Sequence, residues 1–229
     1  MKNLPLMFCG LFFALATSWC GLILSANMQY GALQPVATDE GGPIYPQAIS
    51  GVAQQGRQVY IELGCIYCHT QQVRPAGVGG DLARGWAKRG TVPRDYILQN
   101  PVLLGSSRMG PDLADIGSRM DATHTNYMHL YDAQLVAPGS TQPPYRFLFR
   151  TQKAGDVPTL HALKIPDGSP EAPPAGYEIV PTERAIALMT YLHSLKIDYE
   201  LPEAPFAPGT GNETASGNTT ISGNATAKP

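Results

Sequence analysis

The chain has 229 residues and a net charge of −2, with 24 glycines and 21 prolines. This length fits one domain of ordinary size plus additional segments, and the glycines and prolines indicate a loop-rich fold. The near-neutral charge offers no basic surface for nucleic acid, so nucleic acid is not an expected partner.

An uncharged run of 22 residues, Leu4–Ser25, follows Lys2 near the N-terminus. As a helix it is about 33 Å long, enough to cross the hydrocarbon core of a bilayer. We therefore predict a transmembrane anchor over residues 1–26. Because Lys2 precedes the run and the next charges are Asp39 and Glu40, the remainder of the chain is expected outside the cytoplasm.

A cleaved secretory signal is the alternative interpretation of this segment. Leu4–Phe13 would be its apolar region, and Ala14–Ala16 offers a small-residue cleavage site. The apolar run continues to Leu24, which is longer than the apolar region of most signals, so an anchor is favoured. Both interpretations export the domain that follows.

Residues 27–49 are rich in proline and glycine and are predicted to form an extended tether. From Ser50 to Leu63 the pattern becomes helical, with Val52, Val59 and Leu63 spaced along an apolar face. A helical domain is therefore expected to begin at about residue 50.

The five residues that follow this helix, Cys65 to His69, have the Cys-x-x-Cys-His pattern of a c-type haem attachment site. Side chains three and four residues apart share one face of a helical turn. The thiols of Cys65 and Cys68 can then add to the two vinyl groups of one porphyrin, while His69 reaches the iron from the same side. The motif predicts one covalently bound haem c with His69 as an iron ligand.

Half of a zinc site and a redox-active Cys-x-x-Cys pair are the alternative interpretations of this motif. A zinc site requires a second pair of ligands, but the other cysteines, Cys9 and Cys20, lie singly in the apolar segment. A thioredoxin-like pair requires a βαβ setting, which the flanking sequence does not provide. Haem attachment is therefore favoured, and a disulfide framework is not expected.

The middle of the chain, residues 70–181, has many breakers and only short helical patterns. Its candidate helices are Arg94–Gln99, Asn126–Tyr131 and Tyr145–Arg150. A longer last helix follows Thr182, which is placed to cap it. The predicted apolar face of that helix consists of Ala185, Leu188, Leu192 and Leu195.

A helix before the haem motif and another at the end of the domain are what a small c-type cytochrome requires. We therefore expect a mainly α fold, with a single cytochrome c-like (class I) haem domain over residues 50–204 and one N-terminal transmembrane helix. Residues 205–229 repeat a Gly-Asn pattern with period six and are predicted to be a disordered, solvated tail. Each repeat contains an Asn-x-Thr sequon, so glycosylation of the tail is an open question.

Four segments, in this order along the chain, together carry a family resemblance. They are Gly64–Pro75, Arg108–Leu113, Pro143–Phe149 and Pro173–Thr182. Over residues 5–200 the chain resembles the monohaem cytochrome c subunit of cbb-type cytochrome c oxidases. The Gln-x-Val-Arg-Pro extension of the haem motif and the Pro-Pro-Ala-Gly-Tyr segment are much more specific than Cys-x-x-Cys-His alone.

The resemblance implies a subunit held in the bacterial inner membrane by one helix, with its haem domain on the periplasmic side. Such a subunit receives electrons from other cytochrome c subunits or from a soluble donor cytochrome. It passes them to a separate integral-membrane catalytic subunit, which reduces oxygen. We therefore expect a membrane-anchored electron carrier, bound to the lipid bilayer through this helix, with no catalytic residues of its own.

Three other functions remain open from the sequence. The cytochrome subunit of a nitric oxide reductase shares the anchored monohaem plan, and the metals of its partner distinguish it from an oxidase subunit. A haem-based gas-binding or sensor module is distinguished by carbon monoxide binding to the isolated domain. The last is a structural role, in which the haem only supports assembly.

The resemblance also implies roles around the iron. Pro111 is placed to accept the second imidazole N–H of His69 through its carbonyl, which fixes the ring. Where the family has methionine as the sixth iron ligand, this chain has Gln142. A thioether raises the haem potential, whereas a glutamine oxygen is a harder donor that binds ferrous iron more weakly. Weak ligation by Gln142, an open site and substitution by another residue are all open, with Gln142 facing the iron as the leading expectation.

Other side chains are candidates for the sixth position or for the porphyrin edge. The alternative ligands are Met109, Met120, Met128, Met189, His124, His129 and His161. Arg74 and Arg108 are candidates for pairing with the haem propionates, with a solvated surface position as the alternative. Trp86 and Tyr145 are candidates for packing on the porphyrin, with ordinary core packing as the alternative.

Overall fold

The computed structural model describes residues 3–37, 42–120, 124–166 and 168–208. Its helices are α1 (Leu4–Trp19), α2 (Ser25–Tyr30), α3 (Gly51–Glu62), α4 (Ile116–Arg119), α5 (His124–Tyr131) and α6 (Glu183–Ser194). Its strands are β1 (Val36–Ala37), β2 (Ile44–Tyr45), β3 (Phe149–Lys153) and β4 (Tyr177–Pro181). The repeats of the predicted tail, with their sequons, lie outside the described residues.

The N-terminal segment forms one continuous helix, because a π-helical turn, Cys20–Leu24, joins α1 to α2. This helix of 27 residues has a mean hydropathy of 2.0 over its most apolar window, and none of that window is buried. It is the one candidate membrane span among the described residues. The helix runs to Tyr30, into the range predicted as tether, and Gly31 caps its C-terminal end.

Helices α3 and α6 form the centre of the domain and cross at Gly56. A Cβ at this position would come within 1.8 Å of the carbonyl oxygen of Ala187, so only glycine permits this approach. Beside the crossing, the rings of Tyr60 and Tyr191 meet edge to face with centroids 5.5 Å apart. Both helices were predicted from the sequence, and the structure confirms them.

The buried face of α3 differs in part from the prediction. Val59 is buried as expected, but Val52 is 48% exposed and does not belong to the core. Ala53 and Tyr60 are buried instead, on either side of Gly56 along the helix. The need for small residues at the crossing with α6 therefore decides which face turns inward.

The cap predicted for the last helix is also different. Thr182 occupies the N-cap position of α6, but its side chain makes no capping hydrogen bond there. Its hydroxyl donates instead to the carbonyl of Leu148, at 2.8 Å, and so ties the start of α6 to the preceding hairpin. On the predicted apolar face, Ala185 and Leu188 are fully buried.

The helix predicted over Tyr145–Arg150 is wrong. Only Arg146–Leu148 forms a 3₁₀ turn, and β3 follows directly, paired antiparallel with β4. The buried β-branched residues of β4, Ile179 and Val180, explain why the chain pairs as a hairpin here. The fold is thus mainly helical but includes two small two-stranded sheets.

The other two short helical predictions have different outcomes. Helix α5 contains the predicted Asn126–Tyr131 and begins two residues earlier. The predicted Arg94–Gln99 is shorter, since only Pro93–Tyr96 is helical, as a 3₁₀ turn. Proline at the first position favours a helical turn, and the turn carries no long apolar face to extend it.

The segment before α3 is attached to the domain by Tyr45. Strands β1 and β2 form a short hairpin in which Val36 pairs with Tyr45. The Tyr45 ring is buried beside Leu201 and Ala204, and its hydroxyl donates to Asp95 at 2.7 Å. Part of the range predicted as tether is therefore packed against the domain through Tyr45.

Candidate functional site

The Cys-x-x-Cys-His motif is wound as one turn at the end of α3. Gly64 takes a left-handed conformation, with φ of 71°, and this ends the helix and redirects the chain. The turn that follows, Cys65–Tyr67, is 3₁₀, and the backbone N–H of His69 donates to the Cys65 carbonyl at 3.0 Å. Both thiols and the imidazole are thus presented from one compact turn.

The His69 ring is oriented by Pro111. Its Nδ1 lies 2.8 Å from the Pro111 carbonyl oxygen. Because a carbonyl only accepts hydrogen bonds, Nδ1 carries the proton, and Nε2 keeps the lone pair with which a neutral imidazole binds a metal. The backbone N–H of Gly110 also donates to the Cys68 carbonyl at 3.0 Å, which fixes the two segments together.

The His69 ring packs directly against Gly110, where a side chain would overlap it. A Cβ at position 110 would lie 2.2 Å from ring Cε1 and 2.7 Å from Nδ1. Sequence reasoning did not single out this residue, although its position directly before Pro111 was a usable signal. The backbone of this glycine forms a wall that the ring contacts directly.

Cys65 lies at the edge of the main hydrophobic cluster, together with Ile66 and Tyr145. Burial raises the pKa of its thiol to about 11, although a hydrogen bond with Tyr145 opposes the shift. Burial also raises the pKa of Tyr145 to about 12. The Cys65 thiol is therefore neutral at physiological pH, and Tyr145 packs beside the haem motif.

Cys68 lies on the more open side of the turn. Its sulfur is 4.0 Å from the thioether sulfur of Met109, and Met109 itself is 69% exposed. Met109 therefore lies on the side of the haem motif where Cys68 and the Gly110–Pro111 segment are.

Gln142 and His129 are in direct contact. The side-chain amide of Gln142 donates to the backbone carbonyl of His129 at 3.3 Å. Burial lowers the pKa of His129, the nearby imidazole of His69 lowers it further, and a hydrogen bond with Gln142 opposes both. The structure thus brings a second imidazole, that of His129, within electrostatic range of His69, and Gln142 contacts the backbone of His129.

The remaining ligand candidates have other surroundings. Met189 is buried in the core, and Met120 and Met128 pack partly buried against the same cluster. His161 lies over the ring of Tyr127, with centroids 5.1 Å apart. The side chain of His124 lies outside the described part of the chain.

Arg74 and Arg108 converge on one buried carboxylate, Asp81. Arg74 Nη2 is 2.7 Å from Asp81 Oδ1, and Arg108 Nη1 is 2.8 Å from Asp81 Oδ2. Burial acts to raise the pKa of Asp81, but the hydrogen bonds from both arginines outweigh it and lower the pKa to about 2. Asp81 was not foreseen, because nothing in the local sequence marks it as the partner of two arginines.

This ion cluster extends to the haem stretch and to Trp86. Arg108 Nε donates to the Thr70 hydroxyl at 3.0 Å, and that hydroxyl donates in turn to the buried Asp112. The Arg108 guanidinium also lies over the Trp86 ring, 5.7 Å from its centroid. Trp86 therefore packs against this cation in the structure.

Residues 44–165 match the family described as cytochrome C oxidase, mono-heme subunit/FixO. The matched range is just over half of the 229 residues and includes the haem motif, Pro111 and Gln142. A comparison with curated proteins found no match.

Proposed function

Because the chain belongs to the FixO family, the mono-heme subunit of cytochrome c oxidase, we propose that it passes electrons to the catalytic subunit of a cbb-type oxidase. Family membership implies a haem cofactor and assembly with a catalytic subunit. We further propose covalent attachment of one haem c through Cys65 and Cys68. When bound, the haem supplies one-electron redox chemistry at a potential set by its axial ligands and surroundings.

The contact between His69 Nδ1 and the Pro111 carbonyl, at 2.8 Å, is the observation that supports this function most directly. It fixes the tautomer, raises the basicity of the ring and leaves Nε2 available for iron. Gly110 supports the same orientation from the ring's edge. These residues fit a haem whose proximal ligand is His69.

Gln142 is the second residue that we propose would hold the haem iron. Its amide NH₂ is held by the His129 carbonyl, and an amide coordinates metals through its oxygen. The nearby imidazole of His69 contributes to the lowered pKa of His129, which supports a position of this segment near the haem motif. A haem held by this harder oxygen donor has a lower reduction potential than one held by a thioether.

Arg74 and Arg108 stay candidates for the haem propionates. Both guanidinium groups pair with Asp81, Arg108 also lies 3.8 Å from a carboxylate oxygen of Asp112, and the Arg74 side chain is 41% exposed. Arg74 is therefore accessible from solvent, and the several N–H donors of a guanidinium allow it to bind an incoming carboxylate in addition to Asp81.

We propose that the helix Leu4–Tyr30 spans the bacterial inner membrane and that the haem domain lies on the periplasmic side. Its length and hydropathy support the span, and the position of Lys2 before it supports the direction. Protease added to spheroplasts should then digest the haem domain. Digestion only after the cells are lysed would place the domain on the cytoplasmic side.

Covalent attachment is tested by denaturing the purified protein in acid acetone. We expect the haem to remain with the polypeptide and to be lost from the double variant Cys65→Ala, Cys68→Ala. The double variant Cys9→Ala, Cys20→Ala is the matched control, because both of those thiols are exposed on the membrane helix. Haem released from the unmodified protein would contradict the proposal.

Electron transfer is tested in the intact complex, by rapid mixing with a reduced soluble cytochrome c. We expect the haem of this chain to be reduced before oxygen is consumed, in a complex that contains copper and b-type haem. A partner with non-haem iron instead of copper would identify a nitric oxide reductase. Tight carbon monoxide binding without electron transfer would identify a gas-binding module.

A further inference from the structure

Arg57 on α3 is a buried cation without a carboxylate partner. The residue is 4% exposed, and its guanidinium donates to the backbone carbonyl of Pro101. Within the described ranges, no acidic side chain lies within ion-pair distance of it. A buried charge that is not neutralised is costly, so a guanidinium in this state favours an anion that enters from outside.

Arg57 lines a cavity of about 480 Å³ between α3, the segment around Gln99 and the residues that follow α6. This volume lies in the range of small-molecule binding sites. The side-chain oxygen of Gln99, on the same cavity wall, is buried and accepts no hydrogen bond. The cavity thus presents an uncompensated cation and an unpaired acceptor.

The carboxylates that line the cavity do not compensate Arg57. Asp95 is taken by Arg89, whose Nη2 lies 2.8 Å from its Oδ1, and both side chains are buried. Asp198 and Lys196 also line the cavity, but both are exposed to solvent and their opposite charges offset each other. Arg57 is therefore a buried positive charge on the cavity wall that none of the described carboxylates neutralises.

We propose that this cavity binds an oxyanion, a carboxylate or phosphate group held by Arg57. Arginine presents a planar fork of donors that matches both groups. Gln99 then accepts from a hydroxyl or amine adjacent to that group. The site is separate from the haem site, since Cys65, Cys68 and His69 do not line this cavity.

The oxyanion has two possible sources, a free small molecule or a carboxylate of the neighbouring catalytic subunit. The first arm of the test uses the purified full-length chain with its haem. Inorganic phosphate and acetate are titrated at constant ionic strength, with chloride as the balancing salt, while the thermal midpoint and the heat of binding are measured. We expect a saturable rise in the midpoint with phosphate or acetate and none with chloride.

Arg57→Gln should weaken this response at least tenfold, and Arg57→Lys should retain part of it. Arg184→Gln is the matched control, because Arg184 is an exposed arginine paired with Glu62 on the surface. Equal responses in Arg57→Gln and the unmodified chain would overturn the proposal, and so would a response to chloride as large as that to phosphate.

Since Arg57→Gln also frees the Pro101 carbonyl, Gln99→Glu provides a test that leaves Arg57 in place. A carboxylate at position 99 supplies the missing charge from within, so this variant should be folded and unresponsive to phosphate. A folded Gln99→Glu chain that still binds phosphate as tightly as the unmodified chain would count against the site.

The second arm repeats the titration on the intact oxidase complex. A response that persists there identifies a free small molecule as the ligand. A response seen in the isolated chain and lost in the complex identifies a carboxylate of the partner subunit. Absence of any response in both preparations would refute the oxyanion site.

Discussion

Gly110 and His69 are in direct contact, and the glycine has no room for a side chain. A methyl group at position 110 would come within 2.2 Å of ring Cε1. The ring must therefore move if the methyl is added, and the hydrogen bond from Nδ1 to the Pro111 carbonyl moves with it. The orientation of the proposed iron ligand thus depends on a residue without a side chain.

Gly110→Ala should displace His69 and weaken its bond to iron. We expect reduced haem content, or a haem with a larger high-spin fraction, measured by the absorption and electron paramagnetic resonance spectra of the oxidised protein. Gly155→Ala is the control, because a Cβ there would meet its nearest neighbour, the Val157 carbonyl, at an ordinary 3.7 Å. Identical spectra for Gly110→Ala and the control would show that the ring is not held by this contact.

Gln142→Met should raise the midpoint potential of the haem. A thioether stabilises ferrous iron more than an amide oxygen does, and it gives the oxidised protein a near-infrared thioether–iron band. Redox titration followed by absorption measures the potential. Gln134→Met, at an exposed position on the same segment, is the control. If neither the potential nor the near-infrared spectrum changes, Gln142 does not face the iron.

The elements that the sequence predicted well are those whose signals are local. Helix α3 is marked by apolar spacing, and the haem motif by five consecutive residues. The hairpin of β3 and β4 was missed because its strands, Phe149–Lys153 and Tyr177–Pro181, are distant in sequence and pair only in the folded chain. Tyr145–Arg150 by itself is compatible with a helix, and the partner strand decides otherwise.

The same distinction holds within the site. The placement of Pro111 beside His69 was expected from the family resemblance, and the contact is present at 2.8 Å. The pairing of Asp81 with Arg74 and Arg108 spans 7 and 27 residues and has no sequence pattern. Side-chain partners of this kind follow from the folded backbone, which composition and spacing do not specify.

Asp81→Asn should destabilise the domain at neutral pH by about 1–3 kcal/mol, because Arg74 loses its carboxylate partner and Arg108 keeps only Asp112, at 3.8 Å. The pKa of Asp81 is lowered from 3.8 to about 2 in the folded protein, so its contribution to stability is complete above pH 4. That contribution disappears as the pH falls through 2, since the carboxylate is then protonated in both states.

The measurement is urea unfolding of both proteins at several pH values between 7 and 2. The difference in unfolding free energy should be largest near neutral pH and should shrink between about pH 4 and pH 2. Asp156→Asn, at an exposed position, should show no such pH-dependent difference. A difference for Asp81→Asn that stays constant over this range would mean that its ionisation does not contribute to stability.

Gly56→Ala should separate the two central helices. The added methyl would overlap the Ala187 carbonyl, at 1.8 Å, and would lie 2.8 Å from the Tyr191 Cβ. Because the obstacle is the backbone of α6 and not a flexible side chain, α3 has to shift, at a cost of about 1–3 kcal/mol or more. The thermal midpoint should fall, together with the amount of folded holoprotein.

Gly51→Ala tests whether this loss comes from the crossing itself. It makes the same substitution at the start of α3, where a Cβ would meet nothing within 4 Å. Alanine forms helices better than glycine, so this variant should be as stable as the unmodified chain or slightly more stable. Equal midpoints for Gly56→Ala and Gly51→Ala would mean that the helices do not pack as closely as the Gly56 contact requires. An intact Tyr60–Tyr191 contact in Gly56→Ala, seen in the near-ultraviolet circular dichroism, would lead to the same conclusion.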